Sequence, residues 1–140
     1  MNDRVFIDTN IFVYAKLNAK QDQDKQERAR TFLRDLTANV VISTQVLSEF
    51  ANVLLKHGLE DEIVQTALTE MVEVTSVLPI SLTTVQNALE IKRRYHFSYW
   101  DSLIITSALE GQCSLLFTED LQDGQVIENR LQIKNPFLML

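Results

Sequence analysis

Four carboxylates interrupt apolar segments of this chain of 140 residues. Each follows an apolar run that is typical of a strand, or lies in the first turns of a predicted helix: Asp8, Glu49, Asp101 and Asp120. Parallel strands bring their carboxyl ends to one edge of a sheet, so these side chains are expected to converge there. Converging carboxylates repel one another, and a divalent cation removes that penalty. Oxygen ligands alone favour Mg²⁺ or Mn²⁺ over zinc.

Taken one at a time, the same acids have ordinary structural interpretations. Asp8 could cap a helix that begins near residue 9, because Asp is a favoured N-cap. Glu49 could lie at the edge of a buried stripe and pair with a nearby base. Ser98 and Asp101 have the spacing of a capping box, with Asp in place of the usual Glu or Gln. Asp120 could also be a cap, so it is the joint occurrence of four acids that favours a metal site.

Short apolar strands alternate with segments of helical periodicity. Strands are predicted at residues 5–7, 40–42, 77–78 and 115–117, with a weaker one at 131–133. Apolar residues recur at helical spacing in the intervals. Strands that are apolar throughout are typical of a parallel sheet covered on both faces, so the pattern predicts an α/β fold. No Pro- or Gly-rich linker divides the chain, and residues 1–140 are expected to form one domain, with the apolar tail at 136–140 packed on its own core.

Composition narrows the class of protein. The chain is 46% apolar and 23% charged, which is typical of a globular domain. No apolar run approaches the roughly 20 residues of a membrane span, and the first predicted strand leaves no room for a signal peptide. The lone Cys113 excludes an intrachain disulfide. A cytoplasmic protein with no membrane partner is therefore expected.

Charge is distributed unevenly along the chain, whose formal net charge is −6. The acidic total argues against a generic nucleic-acid coat protein, which would be basic. Basic residues are concentrated in segments 16–34 and 92–94, whereas the stretch between Gly58 and Ile91 contains no Lys or Arg. The basic segments could be solvated helix faces or could attract a phosphate backbone, and the sequence leaves both interpretations open.

Four motifs spanning residues 5–124 resemble, in order, those of the PIN-domain ribonucleases. They are Asp8-Thr9-Asn10, Glu49 in an apolar helix, Tyr99-Trp100-Asp101, and the segment from Leu116 to Asp120. The compact length resembles that of the VapC-type toxins of toxin–antitoxin pairs. This resemblance implies a three-layer α/β/α sandwich with a central parallel sheet and a Mg²⁺- or Mn²⁺-dependent endoribonuclease acting on RNA. It also implies products with 5′-phosphate and 3′-hydroxyl ends, a homodimer and a cognate antitoxin.

The same resemblance assigns roles to individual residues. The acidic positions of the family, which would be catalytic and metal-binding, match Asp8, Glu49, Asp101 and Asp120. Asn10 and Thr118 match positions that would support these acids by hydrogen bonds. Ser102 stands where Ala is more usual. Glu119 and Asp123 leave open which acids of the fourth motif would touch metal.

Other functions fit parts of the pattern. A catalytically silent PIN-like module could bind RNA or a partner protein without cleaving anything, although an intact set of four acids argues against it. A phosphatase of the haloacid dehalogenase type would have a second acid where Asn10 stands. A response-regulator receiver would have a Lys beyond its last core strand, and none follows Phe117 until Lys134. His57 and His96 are poor zinc ligands, since one ends a predicted helix and the other lies in an aromatic connector.

Overall fold

The computed structural model describes residues 3–17 and 23–138 of the chain. Its elements, in chain order, are β1 (Arg4–Ile7), α1 (Thr9–Lys16), α2 (Gln23–Asp35), β2 (Asn39–Ser43), α3 (Thr44–Lys56), α4 (Asp61–Val74), β3 (Ser76–Leu78), α5 (Leu82–Tyr95), α6 (Tyr99–Glu110), β4 (Leu115–Phe117), β5 (Val126–Ile127), β6 (Leu131–Lys134) and a final 3₁₀ turn (Pro136–Leu138). The five strands predicted from apolar runs are all present, including the weak one that became β6. Helices fill the intervals in which helical periodicity was found.

The described strands form one sheet in the order β3-β2-β1-β4-β6-β5. The strand β1 is central and pairs in parallel with β2 on one side and with β4 on the other. Phe6 is the register partner of both Val41 and Leu116. Because these strands are parallel, their carboxyl ends meet at one edge of the sheet, where Asp8 follows β1 and Thr118 follows β4.

Helices cover both faces of this sheet. On one face, Val5 and Ile7 pack in a buried cluster with Ala29 of α2 and Phe137 of the final turn. On the other face, Phe6 packs in a cluster that includes side chains of α3, α4 and α6. Full burial of a side chain of this size stabilises the fold by roughly 1.5–3 kcal/mol, so the alternation along β1 fixes a helix layer on each side. The α/β/α arrangement predicted from the sequence is confirmed.

The strand β5 makes the sheet mixed, whereas a wholly parallel sheet was predicted. It pairs antiparallel with β6. The turn between them holds Glu128 and Asn129 at positive φ, 52° and 58°, as tight hairpin turns require. A strand of two residues is too short to show any periodicity, which explains why the sequence pattern does not predict it.

The helix α6 lies in the interior, and every residue from Ser102 to Leu109 is buried. The Ser102 hydroxyl donates to the Ser98 carbonyl oxygen at 2.8 Å, so Ser in place of the more usual Ala leaves no unpaired polar group at that position. Even this apolar helix is not a membrane span, and no other helix in the described ranges is long and apolar enough to be one.

The C-terminal tail packs against the chain's own core, as expected, over the part that the structure describes. Pro136 and Phe137 are buried, and the Phe137 ring meets the Tyr14 ring edge-on at a centroid distance of 5.5 Å. Leu138 is exposed. The remaining two tail residues, 139 and 140, lie outside the described residues.

Candidate active site

Asp8 follows β1 directly and is the N-cap of α1. One of its carboxylate oxygens accepts the Thr9 N–H at 2.7 Å, and the other accepts the Thr118 hydroxyl at 2.9 Å. Only 6% of the residue is exposed. Burial raises the pKa of Asp8 to about 6, against the two hydrogen bonds, and the charges of Asp120 and Glu49 raise it further. Asp8 is therefore a cap and also a buried carboxylate in the field of two other acids.

Glu49 lies on α3, which starts at the end of β2 with Ser43 as its N-cap. Its Oε2 accepts the Thr9 hydroxyl at 2.8 Å, and its Oε1 accepts Gln45 Nε2 at 2.9 Å. The same Gln45 nitrogen reaches the Trp100 carbonyl oxygen at 3.3 Å. A Glu49 at the edge of a buried stripe was expected to pair with a nearby base. Among the residues described, it instead accepts hydrogen bonds from two neutral donors.

Asp120 lies two residues beyond Thr118, just after β4. Its Oδ2 accepts a hydrogen bond from Asn10 Nδ2 at 2.7 Å. Its backbone N–H donates to the Thr118 hydroxyl oxygen at 3.2 Å, and that hydroxyl in turn donates to Asp8. Asn10 and Thr118 thus hold Asp120 in place, and Thr118 links it to the acid that follows the central strand.

Asp101 lies in the first turn of α6, where the helix dipole favours a negative charge. Its backbone N–H donates to the hydroxyl of the N-cap Ser98 at 3.1 Å. Only one of the two hydrogen bonds of the predicted capping box forms. Within the described structure, the Asp101 carboxylate does not accept a hydrogen bond from the Ser98 backbone N–H. The carboxylate is therefore left available for another partner.

Electrostatic interactions link the four acids in a series, from Glu49 to Asp8, from Asp8 to Asp120 and from Asp120 to Asp101. Partial burial raises the pKa of Asp120, and the charges of Glu119 and Asp101 raise it further. The charges of Asp120 and Glu49 in turn add to the rise that burial causes in the pKa of Asp8. Six ion pairs occur among the residues described, and none of them includes any of the four acids. Among the described residues, the four acids therefore concentrate negative charge at the carboxyl edge without an ion pair of their own, although the charge of Lys25 acts on Asp120 in the opposite direction.

The other two acids of the fourth motif have different partners. Glu119 accepts Lys25 Nζ at 2.8 Å and also accepts the Tyr14 hydroxyl. Asp123 accepts the Asn135 N–H at 2.8 Å, which joins the segment before β5 to the residue that follows β6. Glu119 is thus held by a cation of α2, and Asp123 by a backbone N–H. Asp120 is the acid of the fourth motif that is coupled to Asp8 and Asp101.

The donor set at this edge suits a hard divalent cation, because it consists of carboxylate, hydroxyl and amide oxygens. In the ranges 3–17 and 23–138, no three His, Cys, Asp or Glu side chains are already placed to hold one ion. Mg²⁺ commonly binds through one or two carboxylates and keeps several waters, so it does not need such a preformed cage. Burial is the main cause of the raised pKa values of Asp8 and Asp120, and a cation would relieve the mutual repulsion that adds to it.

Acidic neighbours offset much of the charge on the two basic segments. Arg93 and Arg94 both pair with Glu90 on the exposed face of α5. Arg34 pairs with the adjacent Asp35 at 3.2 Å. These pairs favour the interpretation as solvated helix faces over the one as phosphate-binding surfaces.

Sequence reasoning missed two residues that support the acids, Thr9 and Gln45. Gln45 precedes Glu49 by four positions on one helix, and side chains at that spacing are neighbours, so this signal was present in the sequence. Thr9 lies beside Asp8 but bonds to an acid 40 residues away. That contact depends on how α1 packs against α3, which local sequence does not encode.

Several solved structures have the same fold. A toxin–antitoxin complex from Klebsiella pneumoniae aligns at a TM-score of 0.70 and 17% identity, covering 94% of this chain and 97% of that one. VapC20 from Mycobacterium tuberculosis, a toxin that cleaves the sarcin–ricin loop, aligns at 0.68 and 17%, covering 83% and 91%. VapBC2 from Rickettsia felis, bound to a promoter DNA fragment, aligns at 0.63 and 20%, covering 94% and 98%. At these identities the likeness is one of fold.

Sequence comparison identifies the family. No curated protein matches the chain at a significant level. The family model described as the PIN domain matches residues 5–122, which include all four acids at the carboxyl edge. This match covers well over half of the chain and agrees with the fold of the similar structures. The chain therefore belongs to the PIN-domain family.

Proposed function

We propose that this protein is a Mg²⁺- or Mn²⁺-dependent endoribonuclease that hydrolyses RNA phosphodiester bonds, and that it is the toxin of a toxin–antitoxin pair. The observation that carries the proposal is the set of four coupled carboxylates, none of them paired with a cation of the described chain, at the carboxyl edge of a PIN-domain sheet. The proposal treats residues 1–140 as one catalytic domain.

In this proposal Asp8 and Asp101 hold the principal ion, and Glu49 and Asp120 complete the site directly or through water. The bound ion supplies Lewis acidity toward the phosphate and lowers the pKa of the attacking water. The chain's own contribution is to fix its carboxylates. Thr118 and the Thr9 N–H orient Asp8.

Glu49 and Asp120 are oriented by hydrogen bonds in the same way as Asp8. Thr9 and Gln45 orient Glu49, while Asn10 orients Asp120. These donors are neutral, so they fix each carboxylate without cancelling the charge that attracts a cation. The fixed geometry lowers the cost of reorganisation when the phosphate binds.

The test is RNA cleavage by highly purified protein in buffer with Mg²⁺, with Mn²⁺, or with excess EDTA. We expect cleavage only with metal, and products with 5′-phosphate and 3′-hydroxyl ends. An Asp101→Asn variant serves as the matched control for a contaminating nuclease, because it should purify identically and lose activity. Undiminished cleavage in Mg²⁺ by the variant would assign the activity to a contaminant, and undiminished cleavage in EDTA by a parent free of such a contaminant would rule out the metal mechanism.

The second candidate is a catalytically silent module that binds RNA or a protein partner. Calorimetry with Mg²⁺ followed by the cleavage assay separates the two. Metal binding with cleavage supports the nuclease, whereas RNA binding with neither metal affinity nor cleavage supports the silent module.

The proposed partners are a cognate antitoxin and a second copy of the chain. Support for the antitoxin comes from the similar folds, which belong to proteins solved as toxin–antitoxin complexes. A small reading frame next to this gene, encoding a DNA-binding protein that co-purifies with this chain and blocks its cleavage, is the expected finding. Light scattering on the isolated chain tests the homodimer, which predicts twice the mass of 16.1 kDa.

A further inference from the structure

Trp100 exposes an unusually large apolar surface next to the acidic edge. It is the only tryptophan of the chain, and 63% of it is exposed. Tryptophan is highly buried on average in folded proteins, so an indole in this position calls for a reason. Trp100 lies in the first turn of α6 and immediately precedes Asp101, one of the four coupled acids.

The surroundings of the indole hold it in a defined place. The ring of Tyr99 meets it edge-on at a centroid distance of 5.2 Å. The Trp100 carbonyl oxygen accepts Gln45 Nε2, and the same nitrogen binds Glu49. One amide thus connects the Trp100 backbone to an acid of the proposed metal site, and Trp100 is the sequence neighbour of another, Asp101.

The negative charge of the protein disfavours RNA binding, so an exposed apolar surface could contribute to the affinity. The net charge is −6, the acidic edge repels phosphates until a cation is bound, and much of the arginine charge on the basic segments is offset by ion pairs. Affinity for RNA therefore requires a contribution that does not depend on positive charge. Stacking of a base on an aromatic ring is such a contribution, and it is open only to bases that are not already stacked in a helix.

We propose that the indole of Trp100 stacks on an unpaired base of the RNA, next to the phosphate bound at the acidic edge. This inference rests on the proposed function and deepens it, because it restricts the substrate to single-stranded or looped RNA. Every base has an aromatic face, so the stacking selects for an unpaired strand more than for a particular base.

Intrinsic fluorescence reports on this contact directly, because no other tryptophan contributes. The probe is a short single-stranded oligoribonucleotide added in the presence of Mg²⁺, and the indole emission is read by stopped flow before cleavage proceeds. Two further titrants are the same strand in a duplex and an abasic ribose-phosphate chain of equal length. We expect quenching of the indole by the single strand and little quenching by the other two.

Variants at the position give the size of the effect. Trp100→Leu should weaken binding of the single strand about 5- to 150-fold, the equivalent of roughly 1–3 kcal/mol per stacked base. Trp100→Phe should retain most of the affinity, because it keeps an aromatic face. Val74→Ala is the matched control, since Val74 is also exposed, by 76%, and lies on α4. Its binding should equal that of the parent.

The results separate failure of this inference from failure of the proposed function. If Trp100→Leu binds and cleaves RNA like the parent, the nuclease stands and the stacking is refuted. If the parent never cleaves RNA in Mg²⁺ but its indole is quenched by single strands, the nuclease fails and the stacking stands. Absence of both refutes both. A change in oligomeric mass of Trp100→Leu with unchanged RNA affinity would assign the indole to a protein interface instead.

Discussion

Replacement of Asp8 by Asn tests whether this residue is only a helix cap, or also a buried charge that destabilises the metal-free fold. Burial is the main reason why the pKa of Asp8 in the folded protein is raised from an ordinary value of 3.8 to about 6. Each unit corresponds to about 1.4 kcal/mol, so ionised Asp8 costs the metal-free fold about 3 kcal/mol at neutral pH. The Asp8→Asn variant removes that cost. It keeps an acceptor for the Thr9 N–H but loses the acceptor for the Thr118 hydroxyl, a loss of about 1 kcal/mol.

The sign of the pH dependence follows from the direction of the shift. Since the folded pKa is raised, the stabilising contribution of protonated Asp8 is complete below about pH 4 and is lost as the pH rises through 6. Metal-free Asp8→Asn should therefore be more stable than the parent by about 2 kcal/mol at pH 8. At pH 4 it should be equal to the parent or slightly less stable.

The assay is urea unfolding in EDTA at several pH values between 4 and 8, analysed as the difference between variant and parent. Asp61→Asn is the control for a generic charge effect, because Asp61 is exposed in the first turn of α4. Added Mg²⁺ should stabilise the parent and not Asp8→Asn. A variant that is about 1 kcal/mol less stable at every pH, with normal Mg²⁺ affinity and RNA cleavage, would show that Asp8 is only a cap.

Three further predictions concern other parts of the fold. Lys25→Met should lower the free energy of unfolding by about 1–3 kcal/mol, because it leaves the partly buried Glu119 carboxylate without its cation. Lys25→Arg should lower it less, because it keeps the positive charge. Equal stabilities of the two variants and the parent in urea would contradict this prediction. Burial raises the pKa of the Cys113 thiol to about 11, so native protein at pH 8 should react with iodoacetamide far more slowly than unfolded protein, as followed by mass spectrometry. Ser98→Ala removes the hydroxyl that caps α6 beside Asp101 and should cost about 1 kcal/mol in thermal unfolding, while Ser98→Thr or Ser98→Asp retains most of it.

The strands were predictable because their signal is local. A short run of apolar residues bounded by polar ones is read from five or six neighbouring positions, and β1 and β4 both show it. The acids were predictable for a related reason, since an ionisable residue directly after such a run must lie at the end of a strand. Asp8 is an example: the structure confirms that it caps α1 and shows its coupling to two other acids, while its metal-binding role stays a prediction.

Contacts between distant segments were not predictable in this way. The pairing of Lys25 with Glu119 joins residues 94 positions apart, and no periodicity encodes it. Apolar character alone also misleads about exposure. Helical spacing places Leu89 on the apolar stripe of α5, yet it is 53% exposed, while Ile91 is buried. The exposed face of Trp100 is hidden from sequence reasoning in the same way, because an apolar residue is assigned to the core by default.

The central position of β1 also governs when the acidic edge can exist. Asp8 is synthesised before Thr118, and its bond to Thr118 spans 110 residues. At about 5–20 residues per second, synthesis of that interval takes roughly 5 to 20 s. Throughout this time the first strand lacks its neighbour β4, and the carboxylates of the chain's two ends remain apart. The assembled edge can form only after Thr118 has been synthesised, and any chain that stops short of Thr118 is released without it.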